Sequence, residues 1–576
     1  MDVTPYLDLK IAPRAVFDTL AERRTRPRFM LPTPDGDWRS VTWGAFAEQI
    51  RRATLFLAGA ELLSGDRAAI FAPNSVEWIS AAMAIQSAGG VMVPIYPANT
   101  AAQAAYVAQH SDARVLFVDT PALLGRVLEA WPAYQGVRKI VILGEATDPA
   151  KVHEELRAKG KSVPPFADVE ARCVSWTRAQ SLGAAQDRAD PSAFSKLLDA
   201  VSLDQPGLML YTSGTSGDPK GVPLTHRNVA INGRDWLSCN APLIDEGSVD
   251  LLWLPMSHIF GLGEACLGNT LGFTTYLCDP MSVMDRLPLV RPNVFMSVPS
   301  VWEKLAAASA GDSPEERTRK LARVSGGRLK FCLSGGAGLK REVKEFFHAC
   351  GILIIEGYGL TETSPTLTLN RPDSFRFDSV GKPLPSVELR LAEDGEILAK
   401  GPNVFAGYHK DPTATRDIFT HDGWLKTGDV GRWTDDGFLQ IVDRKKDILV
   451  TAGGKNVAPQ NIELKFQDDP FISHLVVYGD GKRFLTAGVW LNQATVDAHL
   501  AGAGVHPEAR AEATRALVQS RLDKVNALLA SYETLKRFGV MEPALSIESG
   551  HLTPTLKVRR KRVYETFRTH FEALYS

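Results

Sequence analysis

From residue 66 onward, short apolar runs alternate with stretches of helical periodicity. Arg67–Phe71 predicts a strand, Val76–Ser87 a helix and Val91–Ile95 the next strand. Further apolar runs follow at Val115–Val118, Ile140–Leu143, Leu208–Tyr211 and Leu251–Leu254. Helical stretches between them predict α/β layers with much parallel sheet. Residues 145–205, rich in alanine and charge, read as helices and a connecting segment. The pattern changes near residue 386: Val387–Leu391, Glu396–Ala399 and Gly437–Val442 read as short strands separated by Gly and Asp turns. After the charged cluster Asp443–Asp447 the chain resumes as a mixed α/β segment. That cluster reads either as a hairpin or linker, or as a pivot between two domains.

Composition narrows the class without choosing a function. The chain has 576 residues, 44% hydrophobic and 23% charged, an ordinary folded composition. Lys plus Arg is 65 and Asp plus Glu is 66, so a net charge of −1 gives no reason to expect nucleic acid as a partner. None of the six cysteines forms a CxxC pair or groups with histidines at metal-ligand spacing, which suits thiols in a reducing compartment. The start MDVTPYLDLK lacks a basic segment followed by an apolar core, so no signal peptide is expected. Trp78 to His110 carries no charge, but Gly89, Gly90, Pro94, Pro97 and Asn99 interrupt it, leaving no clean span of ~20 apolar residues. A soluble, cytoplasmic protein is the expectation.

The strongest local signal is the segment from Tyr211 to Gly221. An apolar run ends in Thr212, Ser213, Gly214, Thr215, Ser216 and Gly217, with one lysine, Lys220, close behind. Glycines let backbone N–H groups approach a phosphate, hydroxyls donate to its oxygens, and lysine adds positive charge. The spacing is not that of the GxxxxGK[ST] loop.

This segment resembles the phosphate-binding signature of the adenylate-forming superfamily, which includes acyl-CoA synthetases, peptide-synthetase adenylation domains and firefly luciferase. Further motifs resemble that family's in the expected order: Leu254–His258, Ser334–Gly338, Glu356–Thr363, Gly395–Tyr408, Trp424–Asp429, Asp443–Asp447 and Pro554–Lys557. The implied fold is a large N-terminal domain of layered α/β subdomains, residues 1–445. A small, mobile C-terminal α+β domain, 446–576, would carry the adenylation lysine.

The resemblance also implies roles, residue by residue. Gly336, Ala337 and Tyr358 would flank adenine within a nucleotide site that also includes Glu356, Gly357 and Gly359. Thr361 would contact the α-phosphate and Glu362 would ligate Mg²⁺, an ion that favours hard oxygens. Asp429 would accept from the ribose hydroxyls, and Arg444 would donate to ribose or phosphate. His258 would lie near the acyl carboxylate as a binding residue. Lys557 would bridge the attacking carboxylate oxygen and the α-phosphate. Lys446 matches the hinge, and Gly453, Gly454 and Lys455 match the loop that would face the thiol arm.

The implied reaction joins a small-molecule carboxylic acid to AMP from ATP and then passes the acyl group to coenzyme A as co-substrate. Val298–Lys304 and the phrase LTPTLKVRR resemble the long-chain fatty acyl-CoA synthetase branch, although Leu556 stands where many branches carry glycine. Two alternatives stay open: loading of a carrier protein's phosphopantetheine, and a non-catalytic acyl or nucleotide binder. No long insertion separates the two domains, which weakens the acyl-AMP ligase alternative. Asp235 lies beside the position where amino-acid-activating relatives carry their substrate-binding aspartate. Arg559–Arg562 reads as a solvated tail, a peripheral membrane patch or a site for CoA phosphates.

Overall fold

The computed structural model describes residues 2–212, 218–467, 469–553 and 556–576. Two large sheets organise the first part of the chain. One has seven strands, in the order Cys173–Ser175, Lys139–Ile142, Ala113–Val118, Arg67–Phe71, Val91–Ile95, Pro206–Thr212 and Lys220–Thr225. Its pairings are parallel up to the last, where Thr212 pairs directly with Lys220 in an antiparallel hairpin. Helices cover such a sheet on both faces, which explains strands written as continuous apolar runs.

The second sheet has nine strands. Its parallel centre runs through Phe331–Ser334, Val294–Ser297, Val249–Leu252 and Thr274–Leu277. Ile354–Gly359 joins it in parallel and then pairs antiparallel with Thr366–Leu369. At the other edge, Pro27–Pro32 and Trp38–Thr42 form a hairpin. One core joins the two sheets, with Trp43, Trp78 and Trp302 buried in it. A four-stranded antiparallel sheet follows, made of Glu388–Leu391, Glu396–Lys400, Leu425–Trp433 and Leu439–Arg444.

Beyond Arg444 the chain builds a smaller α+β unit with cores of its own, centred on Leu449, Val477, Leu485, Trp490 and Phe571. Its three-stranded sheet consists of Ile472–Tyr478, Leu485–Leu491 and Leu535–Val540. Leu449–Val450 and Asn456–Val457 form a short hairpin just after the charged cluster. Among the described residues, no helix is long and apolar enough to cross a membrane.

The apolar pattern located Arg67–Phe71, Val76–Ser87 and Val91–Ile95 with their observed bounds. Residues 145–205 are mainly helical, but Cys173–Ser175 adds an edge strand that three residues between two helices do not announce.

Candidate active site

The site gathers where the strand ends of the second sheet meet the four-stranded sheet, the position at which open α/β sheets bind ligands. Ile354–Gly359 delivers Tyr358, whose hydroxyl donates to Asp429 Oδ2 at 2.7 Å. Arg444 Nε lies 3.0 Å from Asp429 Oδ1, and the two residues face each other across paired strands. Burial, and then the Asp429 charge, push the Tyr358 phenol well above its ordinary pKa, so it stays a neutral donor.

A buried network holds Asp429 in place. Gly428 turns with φ +74 and donates its N–H to Glu396 Oε1 at 3.0 Å. Lys445 Nζ reaches Glu396 Oε2 at 2.8 Å. Thr427 Oγ1 donates to the Ile397 carbonyl at 2.8 Å and accepts the Asp429 N–H at 3.2 Å. Glu396 was legible only as part of a motif; its task is to hold the turn.

Thr361 and Glu362 begin a short 3₁₀ turn just past that strand. Glu362 is buried, and its Oε1 accepts from the Tyr408 hydroxyl at 2.9 Å. Lys220 Nζ stands over the Tyr408 ring, 4.9 Å from its centre, and 3.9 Å from Asp411 Oδ2. Tyr408 thus links the phosphate-loop lysine to the candidate metal carboxylate, a link invisible at a sequence separation of nearly two hundred residues. Thr212 and Lys220 flank the loop as a cross-strand pair; Ser213, Gly214, Thr215, Ser216 and Gly217 lie outside the described residues.

The residues expected on the adenine side lie in closely packed backbone. Gly336 bends with φ +83 after Phe331–Ser334, and Ala337 continues the bend. Glu356 is buried, its oxygens occupied by the Leu339 N–H at 2.9 Å and Lys344 Nζ at 2.5 Å. Its carboxylate therefore anchors the far end of the Gly336–Ala337 bend. A Cβ on Gly357 would meet Leu369 Cδ1 at 2.8 Å, and one on Gly359 would fall 1.8 Å from the Pro365 carbonyl oxygen. Gly359→Ala forces the strand pair beside Tyr358 apart and costs about 1–3 kcal/mol or more. The check is thermal melting; an unchanged melting temperature contradicts the packing described.

His258 is the N-cap of Ile259–Leu271, and its Nδ1 accepts the Phe260 N–H at 3.1 Å. Burial, helped by the Lys557 charge, pushes its pKa down to about 4. The ring is therefore neutral at pH 7 with the proton on Nε2, a donor suited to a carboxylate oxygen and unsuited to general-base work.

Lys557, in the smaller α+β unit, comes within the field of Arg444 and Asp429. Its loop is held by Thr553 N–H to Lys557 O at 2.8 Å and Lys557 N–H to Thr553 Oγ1 at 3.0 Å; Pro554 and Thr555 lie outside the described residues. The residue is exposed, and the protein around its ammonium still weighs on its charge. Burial and the Arg444 charge lower its pKa, and Asp429 opposes them. Lys446 is lowered by burial, Arg444 and Lys220 among others, so Lys220, Lys446, Arg444 and Lys557 share one field. Arg444 and Lys557 beside Asp429, and Lys220 beside Tyr408, supply positive charge of the kind a polyphosphate needs.

The other sequence candidates divide. Gly453, Gly454 and Lys455 form the turn of the hairpin after the charged cluster, where the Gly454 and Lys455 N–H groups donate to Thr451. Asp235 is unavailable to a substrate ammonium: it is buried, Oδ2 accepts the Ser386 N–H at 2.8 Å, and Oδ1 pairs with Arg234 at 2.9 Å. The basic run after Lys557 is not one patch either, since Arg560 is an internal ion-pair residue while Lys561 and Arg562 face solvent. Among the described residues no group of three or more His, Cys, Asp or Glu side chains could hold a metal by itself.

Residues 17–409 match the AMP-binding enzyme family, and residues 446–576 match the AMP-binding enzyme C-terminal domain. The chain is 33% identical over 591 residues to the long-chain-fatty-acid–CoA ligase FadD15 of Mycobacterium bovis, spanning 94% of this chain and 93% of that protein. It is 28% identical over 600 residues to the peroxisomal long chain acyl-CoA synthetase 6 of Arabidopsis thaliana, covering 94% and 82% respectively. In fold it resembles the adenylation domain of a carboxylate reductase from Mycobacterium chelonae, with a TM-score of 0.79 at 21% identity over 100% of this chain and 92% of that one.

Proposed function

The chain belongs to the AMP-binding enzyme family, and from that premise we propose that it is an AMP-forming ligase that activates a fatty acid as acyl-adenylate and transfers the acyl group to coenzyme A. The observation that carries this reading is the meeting of Arg444 and Lys557, from either side of Lys446, at the Tyr358–Asp429 pair, with Lys220 held over Tyr408, the residue that donates to Glu362. The relatives named above, ligases of long-chain fatty acids and CoA, support the choice of substrates.

In the first half-reaction a carboxylate oxygen bonds to the α-phosphorus of ATP, the bond from that phosphorus to the β-phosphate's bridging oxygen breaks, and pyrophosphate leaves. Tyr358 and the Gly336–Ala337 bend hold adenine, and Asp429 with Arg444 holds the ribose. His258 Nε2 orients the acid, and Lys557 offsets charge between the carboxylate and the α-phosphate. In the second half a thiol sulfur bonds to the acyl carbon, the acyl–phosphate bond breaks, and AMP leaves. We place the boundary between the two domains at residues 445 and 446, with Lys446 as the pivot that withdraws Lys557 and brings Gly453–Lys455 to the thiol.

Mg²⁺ fits this donor set: Glu362 is a buried carboxylate held in orientation by Tyr408, beside the Thr361 hydroxyl. The two would hold the ion against the phosphates, where it would neutralise their charge. Glu362→Gln raises the Mg²⁺ concentration needed for half-maximal adenylation by about 10-fold or more. A variant with normal activity at low Mg²⁺ contradicts the ligand role.

The test of the function is pyrophosphate release over a panel running from acetate to long-chain fatty acids, with aryl and amino acids included, with and without CoA. CoA-dependent turnover of long-chain acids with a new thioester is the expected result. Adenylate that accumulates despite CoA, and is discharged only by a phosphopantetheinylated carrier protein, overturns the acceptor; silence across the panel overturns the reading.

A further inference from the structure

Three residues past Lys557, the basic run turns inward. Arg560 opens the helix Arg560–Thr566 with its side chain only 13% exposed. Its Nη1 and Nη2 meet Glu463 Oε1 and Oε2 at 2.5 and 2.7 Å, fork against fork. Its Nε faces Asp447 Oδ1 at 3.9 Å. Glu463 is itself fixed, because Oε1 also accepts the Val477 N–H at 2.8 Å. Asp443, at the end of the last strand before the hinge, feels the same guanidinium. One buried cation is thus ringed by acids from both sides of Lys446. Planar bidentate pairing of this kind fixes direction as well as distance.

What this fixes is the stem of the Lys557 hairpin. Leu552 and Val558 form a β-bridge, and Arg559 donates its N–H to the His551 carbonyl at 2.8 Å. Residues 551, 552 and 553 pair with 559, 558 and 557, and Arg560 is the next residue along. We propose that Arg560 is a positioning residue for adenylation: its fork with Glu463 sets the base of the Lys557 hairpin against the segment leaving the hinge, and so sets where the ammonium arrives. This rests on the reading of Lys557 as the adenylation lysine.

The experiment measures both half-reactions and thermal melting in the full-length protein. Arg560→Met lowers kcat for acyl-adenylate formation by about 10- to 100-fold, with KM for ATP changed by no more than about threefold and thiolysis of supplied acyl-adenylate preserved. Arg560→Lys recovers part of the loss, because one donor of the fork survives. Lys561→Ala, next in sequence but solvent-facing, leaves both halves unchanged and separates position from basic charge. Glu463→Gln reproduces the selective defect. The Arg560→Met/Glu463→Met double variant removes both charges of the fork, leaving Asp443 and the partly exposed Asp447 without the guanidinium, and keeps that defect in a folded protein even where a single variant melts early. Equal loss in both halves, or normal adenylation in the double variant, overturns the proposal. Lys557→Ala runs alongside: if it spares adenylation, the underlying reading fails; if it abolishes adenylation while the Arg560 variants stay normal, only this inference fails.

Discussion

Replacing Lys557 with alanine cuts acyl-adenylate formation by about 10²-fold or more, the scale of losing one preorganised donor from a charged transition state. Thiolysis of supplied acyl-adenylate survives, because the pentavalent phosphorus that Lys557 stabilises never forms in that half. The selectivity follows from the position of the side chain, on the small domain but within the field of Asp429 and Arg444 of the large one. An independent readout comes from His258. Its pKa of about 4 reflects burial first and the Lys557 charge second, so the variant raises it without returning it to the ordinary histidine value. Rates of the two half-reactions, measured separately, check the main claim; equal losses in both would remove Lys557 from the role assigned.

The second large effect is the mirror image. Lys446→Pro leaves adenylation within a few-fold of normal and cuts thioester formation by about 10²-fold, the usual cost of holding reacting groups in the wrong place. On the proposed reading, Lys557 within the field of Asp429 and Arg444 is the adenylation arrangement, so that half needs no rotation. Thioester formation, by contrast, requires the lysine to leave and Gly453–Lys455 to approach, and the backbone change is absorbed at a few residues. Lys446 and Asp447, directly after the last strand of the four-stranded sheet, are where the proposed pivot puts that change. Proline there fixes one dihedral and removes a donor. Undiminished thioester formation would move the pivot elsewhere.

Much of this was written plainly in the sequence. Strands buried on both faces appear as unbroken apolar runs, which is why Arg67–Phe71 and Val91–Ile95 could be placed to the residue. Tyr358, Asp429, Arg444 and Lys557 stood in ordered motifs, and the structure brings them into one field. Contacts that depend on tertiary distance were not legible. Nothing local says that Tyr408 lies under Lys220 and donates to Glu362, or that Glu396 serves the Gly428 turn. The basic run after Lys557 hid an inward-facing arginine among solvated ones, since a charge pattern does not report which side chain finds a buried acid.

Leu556 shows how the two levels meet. The sequence puts a leucine where the resembled motif of many branches has glycine, and the backbone there has φ +61. Glycine enters that left-handed region without penalty, whereas a side chain costs about 1–2 kcal/mol. The hairpin that presents Lys557 therefore holds its shape against a local preference, with the Thr553 bonds and the Leu552–Val558 bridge supplying the constraint.

The measurement that bears most directly on the account is the product stoichiometry of one reaction: a long-chain fatty acid, ATP, Mg²⁺ and CoA, quenched over time and separated. AMP, pyrophosphate and acyl-CoA are expected in equal amounts, with acyl-AMP as a transient that builds up when CoA is withheld. ADP and phosphate as products, or AMP without a matching thioester, would contradict it.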